Sequence, residues 1–322
     1  MKVAFLILHY NEIMLTQKAI ESIIKMKGDR CIVIVDNCSP NGSGKRLVDR
    51  YCSNQNDHNS QHYGNEATEI YSTRFEDVDL HIILNQENGG FSKGNNLGYR
   101  YIKKYLNVDF IVALNNDISF PQRDFIYILD DIYKKDIFYL AGPDVFTPHI
   151  RSHISPIAPK VRGEKEIDAM IEINNDRVSQ TGYWLSFSTF FRYVQEKYQN
   201  TKILKLYNRI RKSQYSAALP FDEVAHGCVL NGACLIFDSR YIAEYDVLFD
   251  EMTFLYAEED FLTYRLSTGG KEIRYCPELK VDHVGEGSAG YTKMNYSKYI
   301  EKIKKTSAVV NDALLTYKNY IT

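Results

Sequence analysis

The chain has little that would place it among stapled, metal-stapled or nucleic-acid-binding proteins. Its 322 residues include one Trp, eight Pro and six Cys, and the cysteines at 31, 38, 52, 228, 234 and 276 form no CxxC pair. That spacing excludes a disulfide scaffold at this size and a zinc ribbon. Cys31, Cys228 and Cys276 sit at the ends of apolar runs, as ordinary buried thiols do, so a reducing, cytoplasmic setting is expected. Neither sign of charge prevails: 39 Lys and Arg stand against 41 Asp and Glu, for a net charge of -2. No overall basic charge advertises nucleic acid as a partner. No apolar run approaches the roughly 20 residues that span a bilayer. The apolar start of the chain is followed by Asn11 and Glu12 where a cleavage site would need small residues, which predicts a buried strand rather than a signal peptide. The dinucleotide fingerprint G-x-G-x-x-G is missing too. Gly42-Ser43-Gly44-Lys45-Arg46 fails as a P-loop, because Ser39 stands at the first glycine position and Arg46 at the Ser/Thr position.

What is present is an ordinary globular composition, 44% hydrophobic and 25% charged. It is rich in Tyr (25) and Phe (16), which suit sugar or nucleobase surfaces. The length fits one large α/β domain with an appendage, or two modest domains. Apolar runs at 3–8, 31–35, 80–84 and 110–114 alternate with helical patterns at 13–26, 44–52, 94–106 and 124–135. Strand and helix in alternation predict a mostly parallel sheet with right-handed crossovers. Residues 53–69 are polar without a period and read as an exposed insertion loop. The pattern breaks from about 147 to 226. Within that stretch, Tyr183–Tyr215 carries seven Lys or Arg against one Glu, interleaved with aromatics. It reads either as an amphipathic surface for anionic lipid or a lipid-linked substrate, or as a helical excursion with solvated charges. Strands are expected again at 229–237, 273–276 and 280–283, an acid-bearing loop and helix at 249–266, and a helical tail from 296.

Ligands in such sheets bind beyond the carboxyl ends of the strands. Four polar groups follow strands directly: His9-Tyr10-Asn11-Glu12, Asp36-Asn37, the loop 85–94, and Asn115-Asn116-Asp117. Gly89-Gly90-Phe91-Ser92-Lys93-Gly94 offers open backbone, a cation and a helix start for a diphosphate, or a plain strand-to-helix turn. Asp117 can hold Mg²⁺ or Mn²⁺, or cap a turn. Glu258-Glu259-Asp260, beside apolar residues, can raise one another's pKa as a general base requires, or can form an acidic first helical turn. His283 can ligate a metal or serve structurally.

Together these residues resemble family 2 glycosyltransferases of the GT-A fold. Tyr10-Asn11, Val35-Asp36-Asn37-x-Ser39, Asn88 through Gly98 and Leu114-Asn115-Asn116-Asp117 match the nucleotide-sugar half. Asn231-Gly232-Ala233, Phe249-Asp250-Glu251, Tyr256-x-Glu258-Glu259, Arg265, Tyr275-x-Pro277 and His283 match the acceptor half. The likeness is nearest to the rhamnosyltransferase-like branch that builds bacterial surface polysaccharides. It implies a nucleotide-sugar-binding half over 1–146, a helical insertion over 147–226, an acceptor half over 227–290 and a helical tail over 291–322.

The resemblance also implies roles. Tyr10, Asn11, Glu12 and Asp36 would face the base and ribose, with Asp36 accepting from a uracil or thymine imide. Asn88, Lys93, Asn96 and Asn116 would line the rest of the donor. Asp117 and His283 would hold a divalent cation, Mn²⁺ or Mg²⁺. Glu259 would be the catalytic base, with Glu258 its neighbouring alternative. Asn115 stands where the commoner motif has Asp, which loosens the metal requirement. The implied reaction is inverting transfer of a sugar from a UDP- or dTDP-sugar to a hydroxyl of a surface glycan or lipid-linked saccharide. It would take place in the cytoplasm or on the inner face of the membrane, with peripheral contact through 183–215. A sugar-phosphate nucleotidyltransferase and a non-catalytic nucleotide-sugar-binding protein are the alternatives.

Overall fold

The computed structural model describes residues 1–52, 61–63, 68–148, 151–179, 193–194, 218–284 and 295–322. In chain order the strands are β1 (Lys2–His9), β2 (Asp29–Asp36), β3 (Gln61–Tyr63), β4 (Thr68–Phe75), β5 (Val78–Leu84), β6 (Phe110–Asn115), β7 (Ile118–Ser119), β8 (Leu140–Thr147), β9 (Ser152–His153), β10 (Ala225–His226), β11 (Cys234–Asp238) and β12 (Ile273–His283). The helices are α1 (Ile13–Ile24), α2 (Ser43–Cys52), α3 (Gly90–Tyr105), α4 (Phe125–Lys135), α5 (Glu164–Ser179), α6 (Ser239–Glu244), α7 (Glu258–Thr268) and α8 (Tyr296–Ile321).

The strands form one sheet in the order β10-β12-β8-β11-β6-β1-β2-β5-β4-β3, with β7 on β12 and β9 on β8. The neighbours β6-β1-β2-β5 run parallel, as do β8 and β12, while β11 runs against β6 and β8. The unbroken apolar runs of β1 and β2 are explained by cover on both faces. Val3, Phe5 and Ile7 enter one core with Ile20 and Ile23 of α1, Leu47 of α2 and Leu129 of α4. Ala4 and Leu6 enter a second core with Tyr99 and Ile102 of α3 and Leu262 of α7. A third, smaller core joins α5, α7 and α8 through Ile167, Phe261, Leu314 and Tyr317.

Several elements differ from the sequence expectation. Part of the expected insertion loop is ordered: β3 and β4 add antiparallel strands beyond β5. β8 is new; Gly142-Pro143 at its centre hides it. Proline gives no ladder hydrogen bond, and the pairing with β12 shifts register where Pro143 meets Cys276. The strands expected at 273–276 and 280–283 are therefore a single strand with a bulge. β11 starts at Cys234 rather than Val229, because Asn231 Oδ1 accepts from Ala233 N at 2.9 Å and turns the chain. α3 begins at Gly90, whose φ of +78° sets the loop entry. The basic stretch 183–215 lies outside the described residues, apart from Tyr193 and Val194. Among the described residues, no helix is long and apolar enough to cross a membrane.

Asn96 requires a correction. It was expected to line the donor, but it is 0% exposed and its amide is committed within the chain. Nδ2 donates to Phe249 O (2.8 Å) and Glu251 Oε1 (2.9 Å), while Oδ1 accepts from Leu248 N (2.9 Å) and Phe249 N (3.1 Å). Asn96 thus ties α3 to the loop before α7. In Asn96→Ala the two backbone N–H groups and the Phe249 carbonyl lose their buried partner. Each such group costs about 1–3 kcal/mol. Urea unfolding of this variant is expected to show a loss of at least about 2 kcal/mol; a change under about 0.5 kcal/mol would show that the loop is held by other contacts.

Candidate active site

The carboxyl ends of β1, β2 and β6 converge on one edge of the sheet, and the antiparallel β11 begins at that edge. At the β1 end, Asn11 has φ +64° and its N–H donates to Ser39 Oγ at 2.9 Å. Tyr10 and Glu12 are exposed. Asp36 is buried and accepts from Ser39 through both N–H and hydroxyl. Burial raises its pKa, and the Ser39 bonds pull the other way. α2 passes so close that a Cβ on Gly44 would lie 2.2 Å from Asp36 Oδ2.

Behind these residues the strand-end His9 and Asn116 join Thr16 and Ser43, which the sequence did not single out, in a buried polar set. His9 Nδ1 is 2.6 Å from Thr16 Oγ1, and Nε2 is 2.8 Å from Ser43 Oγ. Asn116 Nδ2 donates to the same Thr16 oxygen at 3.1 Å. Burial, with Arg46 adding to it, pushes the His9 pKa down to about 4. Its 3.8 Å approach to Asp36 is therefore a contact of a neutral imidazole. Asn37 organises the glycine loop: Nδ2 donates to Asn88 Oδ1 and Gly90 O, both at 2.9 Å, and Oδ1 accepts from Gly89 N at 3.2 Å. Lys93 is exposed on the first turn of α3.

At the β6 end, Asp117 Oδ2 lies 3.2 Å from His283 Nε2. β7 pairs with the end of β12 and places Ile118 opposite His283. Val284 N donates to Asp117 O at 2.9 Å, which closes the hairpin-like contact. Asp117 Oδ1 is buried with no hydrogen-bond partner. Among the described residues no group of three or more His, Cys, Asp or Glu is placed to hold a metal ion. One carboxylate with an orphaned oxygen and one imidazole make a two-ligand set, which fits a divalent cation completed by substrate oxygens and water.

The acids enter from α7. Tyr256 (φ +75°) and Ala257 (φ +65°) take the left-handed conformation just before it, a strained approach for two non-glycine residues. Glu259 Oε1 accepts from Gly232 N at 3.1 Å, and a Cβ on Gly232 would lie 2.5 Å from that oxygen. Ala233 O accepts from Asn115 N at 3.0 Å. The turn Asn231–Ala233 therefore ties the Glu259 carboxylate to the strand end that leads two residues on to Asp117. Asp260 is paired elsewhere: both of its carboxylate oxygens accept from Arg162 Nη1, at 2.7 and 2.6 Å. Desolvation raises the pKa of Glu259. Burial and the neighbouring Glu259 push Glu258 up to about 8, and Glu258 Oε1 is buried without a partner.

No protein-family model matches the chain, and no curated protein does. Among solved structures, GalNAc-T7 with UDP, GalNAc and Mn²⁺ matches with a TM-score of 0.53 and 12% identity over 99% of this chain and 56% of that one. The chain has the GT-A fold. Two further likenesses have TM-scores below 0.5. The mannosyltransferase PcManGT from Pyrobaculum calidifontis, in complex with GDP-Man and Mn²⁺, gives 0.48 at 12% identity over 98% of this chain and 73% of that one. An S. aureus TarS fragment, 1-349, gives 0.47 at 11% identity over 95% and 71%.

Within this GT-A sheet, the residues expected at the donor edge and the metal edge do lie at one end, with Asn96 the exception. Three contributors escaped the sequence reading: Arg162, the His9-Thr16-Ser43 set and the stapling role of Asn37. Arg162 lies in an aperiodic stretch 98 residues from Asp260, so nothing local marks it. Asn37 and His9 were visible as strand-end polar residues, but their partners come from other loops.

Glu258 sets a pH window. The unfolded side chain ionises near its ordinary 4.5, the folded one near 8. Between those values the folded chain holds a proton that the unfolded chain has released. Stability is full below the window and falls as pH rises through it, by at most about 1.4 kcal/mol per pH unit for one group. His9 acts oppositely, removing stability as pH falls from 6.5 towards 4, so measurements above pH 6.5 separate the two. Urea midpoints at pH 6.5 and 8 should fall for the native chain and fall clearly less for Glu258→Gln. Parallel slopes would rule out Glu258 as the titrating group.

Proposed function

We propose that the chain is an inverting glycosyltransferase. It would move a sugar from a UDP- or dTDP-sugar to a hydroxyl of a growing surface glycan or lipid-linked saccharide. What supports this reading is the Asn231–Ala233 turn, which holds the Glu259 carboxylate through Gly232 N–H and the strand end leading to Asp117 through the Ala233 carbonyl.

The donor side follows from the strand ends. Asp36, kept in place by Ser39 and by the close pass of α2, presents an acceptor to the imide of a uracil or thymine. Tyr10 and Asn11 face the nucleoside, with the buried Asn11 Oδ1 still lacking a partner. The glycine loop and Lys93 at the start of α3 meet the diphosphate with N–H groups and a cation. Asp117 and His283 would hold Mn²⁺; the imidazole favours it over Mg²⁺. When bound, the cation offsets the charge that builds on the leaving diphosphate.

The acceptor side follows from α7. A hydroxyl is a weak nucleophile at neutral pH and needs a base close to it. Glu259 is that base: burial makes its carboxylate more basic, and Gly232 N–H fixes one of its oxygens. Taking the proton as the new bond forms, on the side opposite the leaving group, inverts the anomeric carbon. Arg162 holds Asp260 out of the way. The rhamnosyltransferase-like branch of family 2 and a cytoplasmic site of action rest on the sequence motifs.

Nucleotide binding and chemistry are tested separately. A nucleoside diphosphate with Mn²⁺ at about 100 times its Kd should add about 2.7 kcal/mol of stability, a rise of several degrees in Tm. UDP or dTDP is expected to act and GDP to act less; no shift with any of the three ends the donor assignment. Glu259→Gln should keep that shift while transfer falls by about 10²–10⁴-fold. Retained turnover would move the base to Glu258 or elsewhere. Asp117→Asn should make the shift indifferent to Mn²⁺. Release of pyrophosphate from a sugar phosphate and UTP or dTTP would point to nucleotidyl transfer instead.

A further inference from the structure

The loop before α7 presents an apolar tip to solvent. Met252, Phe254, Leu255 and Tyr256 are 52%, 53%, 38% and 42% exposed. Only Thr253 interrupts them, and its hydroxyl is turned inward onto Tyr256 O at 2.9 Å. Loose loops often expose a side chain by accident, but this tip is built. Phe254 O accepts from Phe91 N at 3.0 Å, and Asn96 clamps Leu248, Phe249 and Glu251 at its base. Tyr256 and Ala257 keep a left-handed backbone at its exit. A rigid, strained segment that holds four large apolar side chains in water marks a contact surface.

Charge identifies the partner. The Tyr256 hydroxyl and the Thr306 side chain are neighbours, so α8 passes the tip. The far end of α8 packs Tyr317 and Tyr320 on Phe261 of α7. The segment from Tyr296 to Thr306 forms the first turns of α8, with Tyr299 buried against Tyr193 and Lys298, Lys304 and Lys305 exposed. That segment carries Lys298, Lys302, Lys304 and Lys305 against one acid, Glu301, which pairs with Lys305. A convex tip of four apolar side chains is far smaller than the ~800 Å² per partner that a stable protein interface buries. An apolar wedge beside lysines suits a bilayer surface, where the side chains enter the acyl boundary and the cations meet anionic headgroups.

We infer that Met252–Tyr256 and the exposed lysines in the first turns of α8 form a docking surface for an anionic membrane, seated beside the acids of α7. The inference stands apart from sugar transfer, because lipid binding is read without substrate. The full chain is sedimented with phosphatidylcholine vesicles and with vesicles in which about a third of the lipid is phosphatidylglycerol. Binding to the anionic vesicles alone is expected, weakening as salt rises from about 0.1 to 0.5 M. Phe254→Ser/Leu255→Ser should weaken it at least tenfold, with a cooperative melting transition showing that the variant is folded, since both side chains are only partly covered. Lys298→Gln/Lys304→Gln should weaken it severalfold and lower its salt dependence. No binding to anionic vesicles overturns the inference and leaves the tip to a saccharide or protein partner. Binding that the Phe254/Leu255 variant retains in full also overturns it and moves the contact to residues 183–215.

Discussion

The candidate site depends on a three-residue turn. Asn231 closes on Ala233 through its side chain, which leaves the Gly232 N–H and the Ala233 carbonyl pointing at different elements. One receives the first turn of α7, the other the end of β6. A side chain at 232 would displace the Glu259 carboxylate, which occupies the space a Cβ would need. A carboxylate removed from water and an acid at a strand end could each be held in many ways. Holding both from neighbouring atoms of one turn fixes the distance between them, and that is what bond transfer between two substrates demands.

The fold was legible because its signal is local and repeated. Continuous apolar strands between amphipathic helices announce a sheet covered on both faces, and the two cores on either side of β1 are its physical form. The strands that escaped reading were those whose pattern was interrupted: β8 by Gly142-Pro143, and β4 by alternating burial along an outer strand. The site was half legible. Strand-end polar residues could be listed from the sequence, and the resemblance paired Asp117 with His283, whose side chains lie 3.2 Å apart. What each amide or guanidinium holds could not be read, since Asn96 and Arg162 meet partners about 100 to 155 residues away. A buried Asn with four internal bonds and an Asn facing a nucleotide look alike in one dimension.

Burial shapes the chemistry of the acids more than their mutual repulsion does. Desolvation is the leading cause of the raised pKa at Glu258, Glu259 and Asp260 alike, and Arg162 relieves the last of these directly. The three consecutive acids thus divide into one paired with a guanidinium, one held by a backbone N–H and one with a bare oxygen. Such a gradient within one helical turn lets adjacent carboxyl groups carry protons at different pH.

The bulge in β12 governs which side chain reaches Asp117. Ile273 and Tyr275 face the core with α3, yet Leu279 and Val281 face the core with α1. The odd-numbered residues have changed sides across Pro277-Glu278-Leu279, three extra residues set against one step of β8. His283 inherits that reversed parity. Losing a single residue there, with a three-residue bulge kept, would slide the end of the strand by one position and turn the imidazole to the opposite face of the sheet. The strand would still pair and the fold would persist, with the histidine drawn into the place of Asp282 and Val284 into that of the histidine.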